Sequence, residues 1–480
     1  MTNIIPKARQ AAWRILNVLE RDPNRPLPVL LDQANQEFRL DARDTALCME
    51  LAYGVLRMRC PLQNIVRPRL RKPNAMPRPI HNLLLMGAYE IICLEHIPAR
   101  ATVCEAVNLV RKKYGPGMGG LVNAVLRGID RDFAELQKSS QIAAQKPAHL
   151  TADHIAFRGS LPDWLAKAWL TEFGETAWRL ATASTEKPGL ACRLNAARPS
   201  WQKTRAQLLE EGAQPIGETG LCFTGTDFVD NDLLGSAQEL SFPMLGDSGH
   251  NGQGSAQETA WRGRLRALET EGDLTRQGAG AILAAEAVIK CIKQEPNWQS
   301  KTVWDACCGR GGKTTALLEQ DVNVILASDP NAWRLTALKD SLERLNLPHP
   351  RIVNAPLDKA APDKQRFDWI ILDVPCTGSG TLARNPELRL RLSPERLTEA
   401  VALQAELLKT AWGRLKPGGK LIYLTCSLLP QENRMQVEAF LASHLSHSAV
   451  RHQVQEAQEL FLPVWPGQDA MFMAVIAAVQ

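Results

Sequence analysis

The feature that most limits what this chain can fold into is a change of period near residue 280 of its 480 residues. Residues 6–135 carry apolar side chains at helical spacing, with almost no two-residue alternation. Beyond residue 280, short apolar runs of strand length alternate with longer amphipathic segments. This order predicts an all-α domain followed by a doubly wound α/β domain. Ligands of such a domain bind at the carboxyl ends of its strands.

Composition and periodicity divide the chain into four segments. Residues 1–140 are predicted to form the helical domain, and residues 141–230 a linker with a small α+β part of the second domain. Residues 231–280 contain the pentapeptide GSAQE twice, around a stretch rich in Gly, Asn and Ser. We interpret this segment as an irregular, partly disordered insertion, with a functional loop as the alternative. Residues 281–480 are predicted to form the α/β domain.

Positive charge is concentrated in the first third of the chain. Residues 1–150 hold 22 Lys and Arg against 13 Asp and Glu, a net charge of +9, which leaves −4 for the rest of a chain of net charge +5. The stretch 57–78 contains seven basic residues and no acidic one, and a second basic cluster occupies 111–113. A run of one sign repels itself unless a polyanion offsets it, so we interpret these residues as contacts to a nucleic-acid backbone. A solvated helix face is the alternative.

Several classes of protein are disfavoured. No apolar run reaches the roughly 18 residues that cross a membrane, and no apolar stretch of signal-peptide type follows Lys7 and Arg9. Eleven cysteines in a chain of this length do not suggest a disulfide scaffold, and their spacing is not that of a zinc site. We therefore expect a cytoplasmic, monomeric protein with free thiols, without a metal site and without membrane contact.

A glycine-rich turn follows the first strand of the α/β domain. Residues 305–314 are DACCGRGGKT, a turn that presents backbone N–H groups and a helix N-terminus to a ligand. The glycine spacing excludes both the phosphate-cradling loop and the dinucleotide fingerprint. Asp329 ends the next strand, where a carboxylate can accept hydrogen bonds from ribose hydroxyls. An adenosine cofactor without phosphates fits best, and S-adenosylmethionine is the candidate; a tight turn without a ligand is the alternative.

Further along the chain, two cysteines lie directly after predicted strands. Residues 370–376 are IILDVPC, and residues 421–426 are LIYLTC. Cys376 and Cys426 at adjacent strand ends are expected to face one crevice. A thiolate is the strongest side-chain nucleophile near pH 7, so a nucleotide-type site with two thiols predicts covalent chemistry on a nucleobase. A redox pair and buried structural cysteines are the alternatives.

These motifs resemble the Nol–Nop–Sun family of RNA cytosine-5 methyltransferases. The matching stretches are 305–315, 373–386 and 423–433, and three stretches of the helical domain (44–57, 84–94 and 121–127) are similar to the NusB-type RNA-binding domain. The resemblance implies a Rossmann-like, S-adenosylmethionine-dependent methyltransferase domain preceded by an all-α NusB-like domain. It also implies RNA as the substrate, and 16S ribosomal RNA in particular, because a NusB-type domain precedes the catalytic domain in that bacterial branch. Transfer RNA, 23S ribosomal RNA and a non-catalytic role in ribosome assembly are the alternatives.

The resemblance also assigns roles to individual residues. Cys426 is implied as the nucleophile that adds to C6 of cytosine, and Cys376 as the residue that assists removal of the C5 proton and release of the product. Asp373 is implied to hold the cytosine edge. The residues implied to bind the cofactor are Cys307, Cys308, Gly309, Arg310, Gly311, Gly312, Lys313, Asp329, Asn354 and Asp373. Within this set the two vicinal cysteines are interpreted as packing residues.

Three positions depart from the family's pattern. Arg310 stands where the family has a proline, in a turn that usually contains CAAPGGKT. Asn354 stands where an acid commonly contacts adenine, and Gly278 where a Gln-Asp motif has its Asp. Arg384 and Pro386 match the segment after the Pro-Cys motif, and they are expected to border the RNA channel.

Overall fold

A computed structural model describes residues 6–94, 96–136, 145–223, 256–445, 454–461 and 468–478. The chain divides into two compact units. Among the described residues, the helical unit holds residues 6–186 and 385–392. The sheet unit holds residues 187–223, 257–384 and the described part of 393–480.

The helical unit is built from amphipathic helices, and those within residues 6–136 bury their apolar faces in one core. Its helices over the described residues are α1 (Lys7–Arg21), α2 (Leu27–Phe38), α3 (Ala42–Arg57), α4 (Arg59–Val66), α5 (Arg78–Cys93), α6 (Ala99–Tyr114), α7 (Pro116–Arg131), α8 (Ala152–Gly159), α9 (Asp163–Phe173) and α10 (Thr176–Thr185). The prediction of an all-helical N-terminal region is confirmed. The apolar spacing did not predict helices α2 and α4, which the structure adds.

A buried ion pair lies inside the helical core. Glu90, 1% exposed, accepts three hydrogen bonds from Arg9 at 2.6–3.0 Å and one from Thr102 Oγ1 at 3.0 Å. Arg9 also contacts Glu105 at 2.6 Å. A guanidinium presents several donors in one plane, so it can satisfy both carboxylate oxygens and offset the cost of burying them.

The structure separates the basic stretch 57–78 into buried, paired and exposed side chains. Arg57 is buried, and burial lowers its pKa. Arg59 and Arg69 pair with acidic side chains at 2.6 and 2.7 Å. The cluster 111–113 is exposed throughout. The exposed members of 57–78, which carry the hypothesis of a nucleic-acid contact, are Arg67, Arg71, Lys72 and Arg78.

The helical unit extends beyond residue 140, where the sequence suggested a boundary. Helices α8, α9 and α10 belong to it, and its continuous part ends at Glu186. These three helices contact one another, so their apolar positions add to the helical unit and do not start the second domain.

A distant segment, residues 385–392, completes the helical unit. It contains a 3₁₀ turn at Pro386–Leu390, most of which is buried. The buried Arg389 donates hydrogen bonds to the carbonyl oxygens of Gly159 and Ser184 at 3.1 and 2.6 Å. Pro386, which was expected to border an RNA channel, is buried in this turn.

The sheet unit begins with a small antiparallel sheet. Its strands lie in the order β2-β3-β1-β4. Its elements are β1 (Leu190–Leu194), α11 (Trp201–Glu210), β2 (Gln214–Ile216), β3 (Gly220–Phe223), α12 (Ala256–Glu271) and β4 (Leu274–Arg276). The prediction of an irregular segment over 231–280 is wrong for 256–276, while 231–255 lies outside the described residues. Leu265 and Leu268, three residues apart on α12, pack against the core of this sheet, and the glycine-rich composition nearby hid that spacing.

Seven strands form the main sheet in the order β10-β11-β9-β8-β5-β6-β7. They are β5 (Val303–Asp305), β6 (Val324–Ser328), β7 (Arg351–Val353), β8 (Phe367–Asp373), β9 (Leu415–Thr425), β10 (Val454–Phe461) and β11 (Met471–Ala478). Neighbours among β5 to β9 are parallel, whereas β11 runs antiparallel to β9 and β10. The prediction of a doubly wound α/β domain is confirmed.

Apolar cores cover both faces of the main sheet. Ile370 and Ile371 lie in different cores, as successive side chains of a strand must. The helices of this region are α13 (Ala279–Lys293), α14 (Gly312–Glu319), α15 (Ala332–Leu345), α16 (Leu357–Ala360), α17 (Pro394–Trp412) and α18 (Arg434–Leu445). Helix α17 ends at Trp412, and Leu415 already begins β9.

Candidate active site

The carboxyl ends of five parallel strands bring the predicted site residues to one edge of the main sheet. The register pairs Asp305 with Ile371 and Asp373 with Leu424, so the loops after β5, β8 and β9 leave the sheet side by side. The polar and thiol residues at or after the ends of β5 to β9 are Asp305, Asp329, Asn354, Asp373, Cys376 and Cys426.

The two cysteines contact each other through their sulfur atoms. Cys376 Sγ lies 3.2 Å from Cys426 Sγ, and either atom can donate the hydrogen bond. The loops are tied together by a backbone hydrogen bond of 2.9 Å from Gly380 N to Cys426 O. The hydrogen bond with Cys426, burial and the charge of Glu432 together hold the pKa of Cys376 well above its ordinary value. The two thiols are thus unequal in environment although they share one crevice.

An ion pair stands beside the sulfur atoms. Lys313 Nζ lies 2.7 Å from Asp373 Oδ2. Burial disfavours the ammonium form, but Asp373, Asp305 and Cys426 attract it more strongly, and the pKa of Lys313 is raised. The site therefore holds a charged lysine that Asp373 and Cys426 both attract.

The glycine turn adopts a backbone that its two positive-φ glycines make possible. Gly309 and Gly311 have φ of +55° and +86°. A Cβ at Gly311 would lie 2.2 Å from Leu338 Cδ1, so a side chain there would displace α15. A Cβ at Gly309 would meet nothing within 4 Å, which leaves open space beside the turn. Gly312 then begins α14, whose N-terminus opens at this turn.

Asp305 is a buried carboxylate at the base of the turn that the sequence interpretation did not assign to the site. Its Oδ2 accepts a hydrogen bond of 2.6 Å from Thr314 Oγ1, while its Oδ1 has no hydrogen-bond partner among the described residues. Burial raises the pKa of Asp305 to about 7. A cofactor with a cationic amino group would supply the missing donor, so this acceptor fits S-adenosylmethionine. The sequence feature that could have identified Asp305 as a site residue is its position at the end of a buried strand.

Asp329, expected to face the ribose, is buried and already accepts hydrogen bonds. Its Oδ2 accepts from Gly309 N at 3.1 Å and from Arg334 at 3.4 Å, and its Oδ1 accepts from Asn331 N at 2.8 Å. Asn354 donates from Nδ2 to the carbonyl oxygen of Asp329 at 3.1 Å, and it is itself exposed. Each carboxylate oxygen can accept more than one hydrogen bond, so a ribose contact stays chemically available.

Arg310 stands where the family has a proline, and its side chain points away from the turn. Its guanidinium lies 5.2 Å from the ring centre of Trp333, a cation–π contact between two exposed side chains. The long side chain is therefore directed along the surface, and the space beside Gly309 remains open.

The departure at Gly278 lies beside a carboxylate from the other end of the sheet unit. A Cβ at Gly278 would lie 2.3 Å from Asp469 Oδ2 and 2.9 Å from Arg384 Cζ. Asp469 is buried and pairs with Arg384 at 3.2 Å. A carboxylate thus occupies the space where the Gln-Asp motif would carry its own.

The vicinal cysteines of the turn are packing residues. Cys307 packs against one core of the main sheet, and Cys308 belongs to the other. Burial raises the pKa of both thiols well above the ordinary value. The remaining members of the expected cofactor set, Gly309 to Lys313, form the turn itself.

Two further features bear on the class of protein. Across the described ranges, no group of three or more His, Cys, Asp or Glu side chains is arranged to hold a metal ion. No helix in the same part of the chain has both the length and the hydropathy of a membrane span.

Comparisons with known proteins match both units. Residues 294–477 match the model of the 16S rRNA methyltransferase RsmB/F family, and residues 6–131 match the NusB family. The chain is 30% identical over 485 aligned residues to a probable ribosomal RNA small subunit methyltransferase B of Synechocystis, covering 97% of this chain and 98% of the relative. It is 28% identical to the ribosomal RNA small subunit methyltransferase B of Vibrio cholerae, covering 99% and 97%.

The chain belongs to the 16S rRNA methyltransferase RsmB/F family. It is an RNA methyltransferase with S-adenosylmethionine as its cofactor, as the sequence motifs predict. The alternative of a non-catalytic assembly factor is not supported. The crystal structure of PH0851 is similar over 99% of each chain with a TM-score of 0.68 at 20% identity, a likeness of fold.

Proposed function

We propose that this RsmB/F-family protein methylates C5 of a cytosine in 16S ribosomal RNA through a covalent bond between Cys426 and C6. The observation that carries the proposal is the 3.2 Å contact between Cys376 and Cys426, beside the ion pair of Lys313 and Asp373. The choice of 16S RNA is supported by the names of the relatives from Synechocystis and Vibrio cholerae.

Cys426 performs the first step. Its thiolate forms a bond from Sγ to C6, and the electron pair of the C5–C6 double bond moves into the ring, which makes C5 electron-rich. Lys313 stabilises the thiolate before attack, because its ammonium is held in the site by Asp373. Bound S-adenosylmethionine supplies the methyl group that C5 takes up.

Cys376 acts in the second step. Its sulfur takes the C5 proton, the C–H electron pair restores the C5–C6 double bond, and the bond from C6 to Cys426 breaks. Cys426 leaves as a thiolate, so both the sulfur and the double bond are regenerated. The sulfur contact of 3.2 Å is short enough for both groups to reach adjacent atoms of one base.

Asp373 orients the base, and the glycine turn holds the cofactor. Asp373 is partly exposed with Oδ2 bonded to Lys313, which leaves Oδ1 to accept from the exocyclic amine of cytosine. Residues 307–313, Asp305, Asp329 and Asn354 would hold S-adenosylmethionine. The target base must leave its stack to enter this site, which favours a single-stranded or loop RNA.

The test is a methylation assay on protein-free 16S RNA with bisulfite sequencing, with 23S RNA and transfer RNA as competing substrates. We expect one or a few 16S cytosines to be protected from conversion. Protection only in transfer RNA or 23S RNA would overturn the choice of substrate.

The roles of the thiols have a separate test. Cys376→Ala is expected to retain the RNA as a heat-stable, SDS-resistant adduct, since the C5 proton is no longer removed. Cys104→Ala, an exposed cysteine of the helical unit, serves as the matched control and should form none. The assignment of release to Cys376 fails if this variant turns over like the wild type.

A further inference from the structure

A fully buried carboxylate joins the loops that carry the two cysteines. Glu432 lies between β9 and α18 and has no exposed surface. Its Oε1 accepts from Thr377 N at 2.8 Å, and its Oε2 accepts from the hydroxyls of Thr377 and Ser427 at 2.5 Å each. Thr377 directly follows Cys376 and Ser427 directly follows Cys426, so one side chain fixes both loops.

Further hydrogen bonds make this carboxylate part of a rigid network. Gln404 Nε2 donates to Glu432 Oε1 at 3.0 Å and to the carbonyl oxygen of Pro375 at 2.9 Å. Tyr423 donates from its hydroxyl to the carbonyl oxygen of Glu432 at 2.7 Å. Both Gln404 and Tyr423 are fully buried. The position of the Pro-Cys loop is thus set from both its ends.

All donors to this carboxylate are uncharged. Within the described residues, no lysine, arginine or histidine forms an ion pair with Glu432, although burying an uncompensated charge is costly. The negative charge of Glu432 contributes to the raised pKa of Cys376, whose neighbour Thr377 donates to both carboxylate oxygens.

We propose that Glu432 is a positioning residue that holds the two cysteine loops in contact and keeps the proton of the sulfur pair on Cys376. Cys376 is then the donor and Cys426 the acceptor in the 3.2 Å contact, so Cys426 is the thiolate. This inference rests on the proposed function, and it explains from the structure why two neighbouring thiols take different roles.

The charged and titratable groups around the pair all favour this order. Cys426, Glu432 and the buried Tyr423 face Cys376, and none of them is a cation. Lys313 attracts Cys426 from the other side. A negative charge on Cys426 is therefore stabilised by an ammonium, whereas a negative charge on Cys376 would lie beside a carboxylate.

The contact between the two sulfur atoms also determines when Cys376 can act as a base in the second step. Once Cys426 has bonded to C6 it is a neutral thioether, and the negative sulfur that opposed ionisation of Cys376 is gone. The Cys376 proton can then leave to solvent, and the resulting thiolate can accept the C5 proton. Cys376 becomes a base only after the nucleophile has been consumed.

Alkylation by iodoacetamide, with each cysteine peptide quantified by mass spectrometry between pH 6 and 10, tests the inference. In the wild-type protein Cys426 is expected to react at lower pH than Cys376. Glu432→Gln should move the Cys376 profile down by about one pH unit or more. The matched control Glu438→Gln removes an exposed carboxylate from α18 and should move neither profile. Glu432→Gln should also lower kcat with little change in KM for RNA.

Two outcomes would overturn the inference. One is a wild-type protein in which Cys376 reacts at lower pH than Cys426, a measurement that needs no variant to fold. The other is a folded Glu432→Gln protein whose Cys376 profile is unchanged. Alkylation is independent of RNA, so failure to methylate 16S RNA would overturn the proposed function and leave this result standing.

Discussion

Two buried glutamates show how differently the two units treat charge. Glu90 of the helical unit accepts three hydrogen bonds from Arg9, and its charge is neutralised where it lies. Glu432 of the sheet unit is at least as deeply buried, and its donors are Thr377, Ser427 and Gln404. Asp305, also in the sheet unit, keeps one carboxylate oxygen without a partner.

This difference separates buried charges that stabilise the fold from buried charges that contribute to catalysis. A neutralised charge contributes a fixed geometry and has little electrostatic influence on its surroundings, whereas an uncompensated charge shifts the pKa of its neighbours. Changes in the helical unit should therefore reduce stability first. Changes at the sheet edge should reduce activity first.

The largest effect is expected at the nucleophile. Cys426→Ala should lower methylation by at least about 10³-fold, because the covalent route is lost. Its melting temperature should stay near that of the wild type, since Cys426 is only partly buried and alanine keeps the backbone hydrogen bond from Gly380. Incorporation of a labelled methyl group and a thermal melt measure the two quantities. A variant that methylates normally would remove Cys426 from the mechanism.

The next effect is on stability and lies in the helical unit. Arg9→Met leaves Glu90 buried without its cation, which should cost about 3–5 kcal/mol of unfolding free energy. Arg14→Met, on the same helix, removes an exposed pair with Glu37 and a cation–π contact with Phe38, and it should cost at most about 1 kcal/mol. Urea unfolding compares the two. Equal losses would show that the buried pair is no more important than the surface pair.

Asp305 predicts a pH dependence of the cofactor-free protein. Its pKa is raised by burial to about 7, so the folded state binds a proton that the unfolded state releases near pH 4. Stability from this group is therefore full at low pH and is lost as pH rises towards 7, by roughly 1.4 kcal/mol per unit. Asp305→Asn should match the wild type at pH 4 and exceed it by roughly 4 kcal/mol at pH 8. Thermal melts over that range test the sign, and an Asn variant less stable at pH 8 contradicts it.

The smallest effect concerns the carboxylate beside Gly278. Asp469→Ala should lower methylation roughly tenfold through misplacement of neighbouring groups, and Gly278→Asp in that background should restore part of it. Gly278 has φ of −63°, which any residue adopts. Asp363→Ala removes an exposed partner of Arg414 and should have no effect. If Gly278→Asp gives no recovery, the two carboxylates are not equivalent.

The sequence was sufficient for features that depend on local pattern. Helical spacing predicted helices α1, α3, α5, α6 and α7 of the first unit, and strand-length apolar runs predicted the parallel sheet with Cys376 and Cys426 at adjacent strand ends. These features follow from the periods of helix and strand and from the rule that parallel strands end at one edge.

The features that the sequence did not predict depend on contacts between distant residues. Glu432, Asp305 and Asp469 gain their importance from burial and from partners far along the chain, which spacing does not show. Strand β10 and helix α12 were missed because their polar side chains obscure the period. The segment predicted to be irregular was extended over α12 and β4 for the same reason.

The segment 385–392 has a consequence for how the protein is made. The ribosome releases a chain from its N-terminus, and domains generally fold as they emerge. Arg389, which bonds to the carbonyl oxygens of Gly159 and Ser184, is synthesised only after most of the sheet unit. The helical unit therefore stays incomplete until about four fifths of the 480 residues have been synthesised. A gene fragment ending at Glu186 would encode a domain without its last piece.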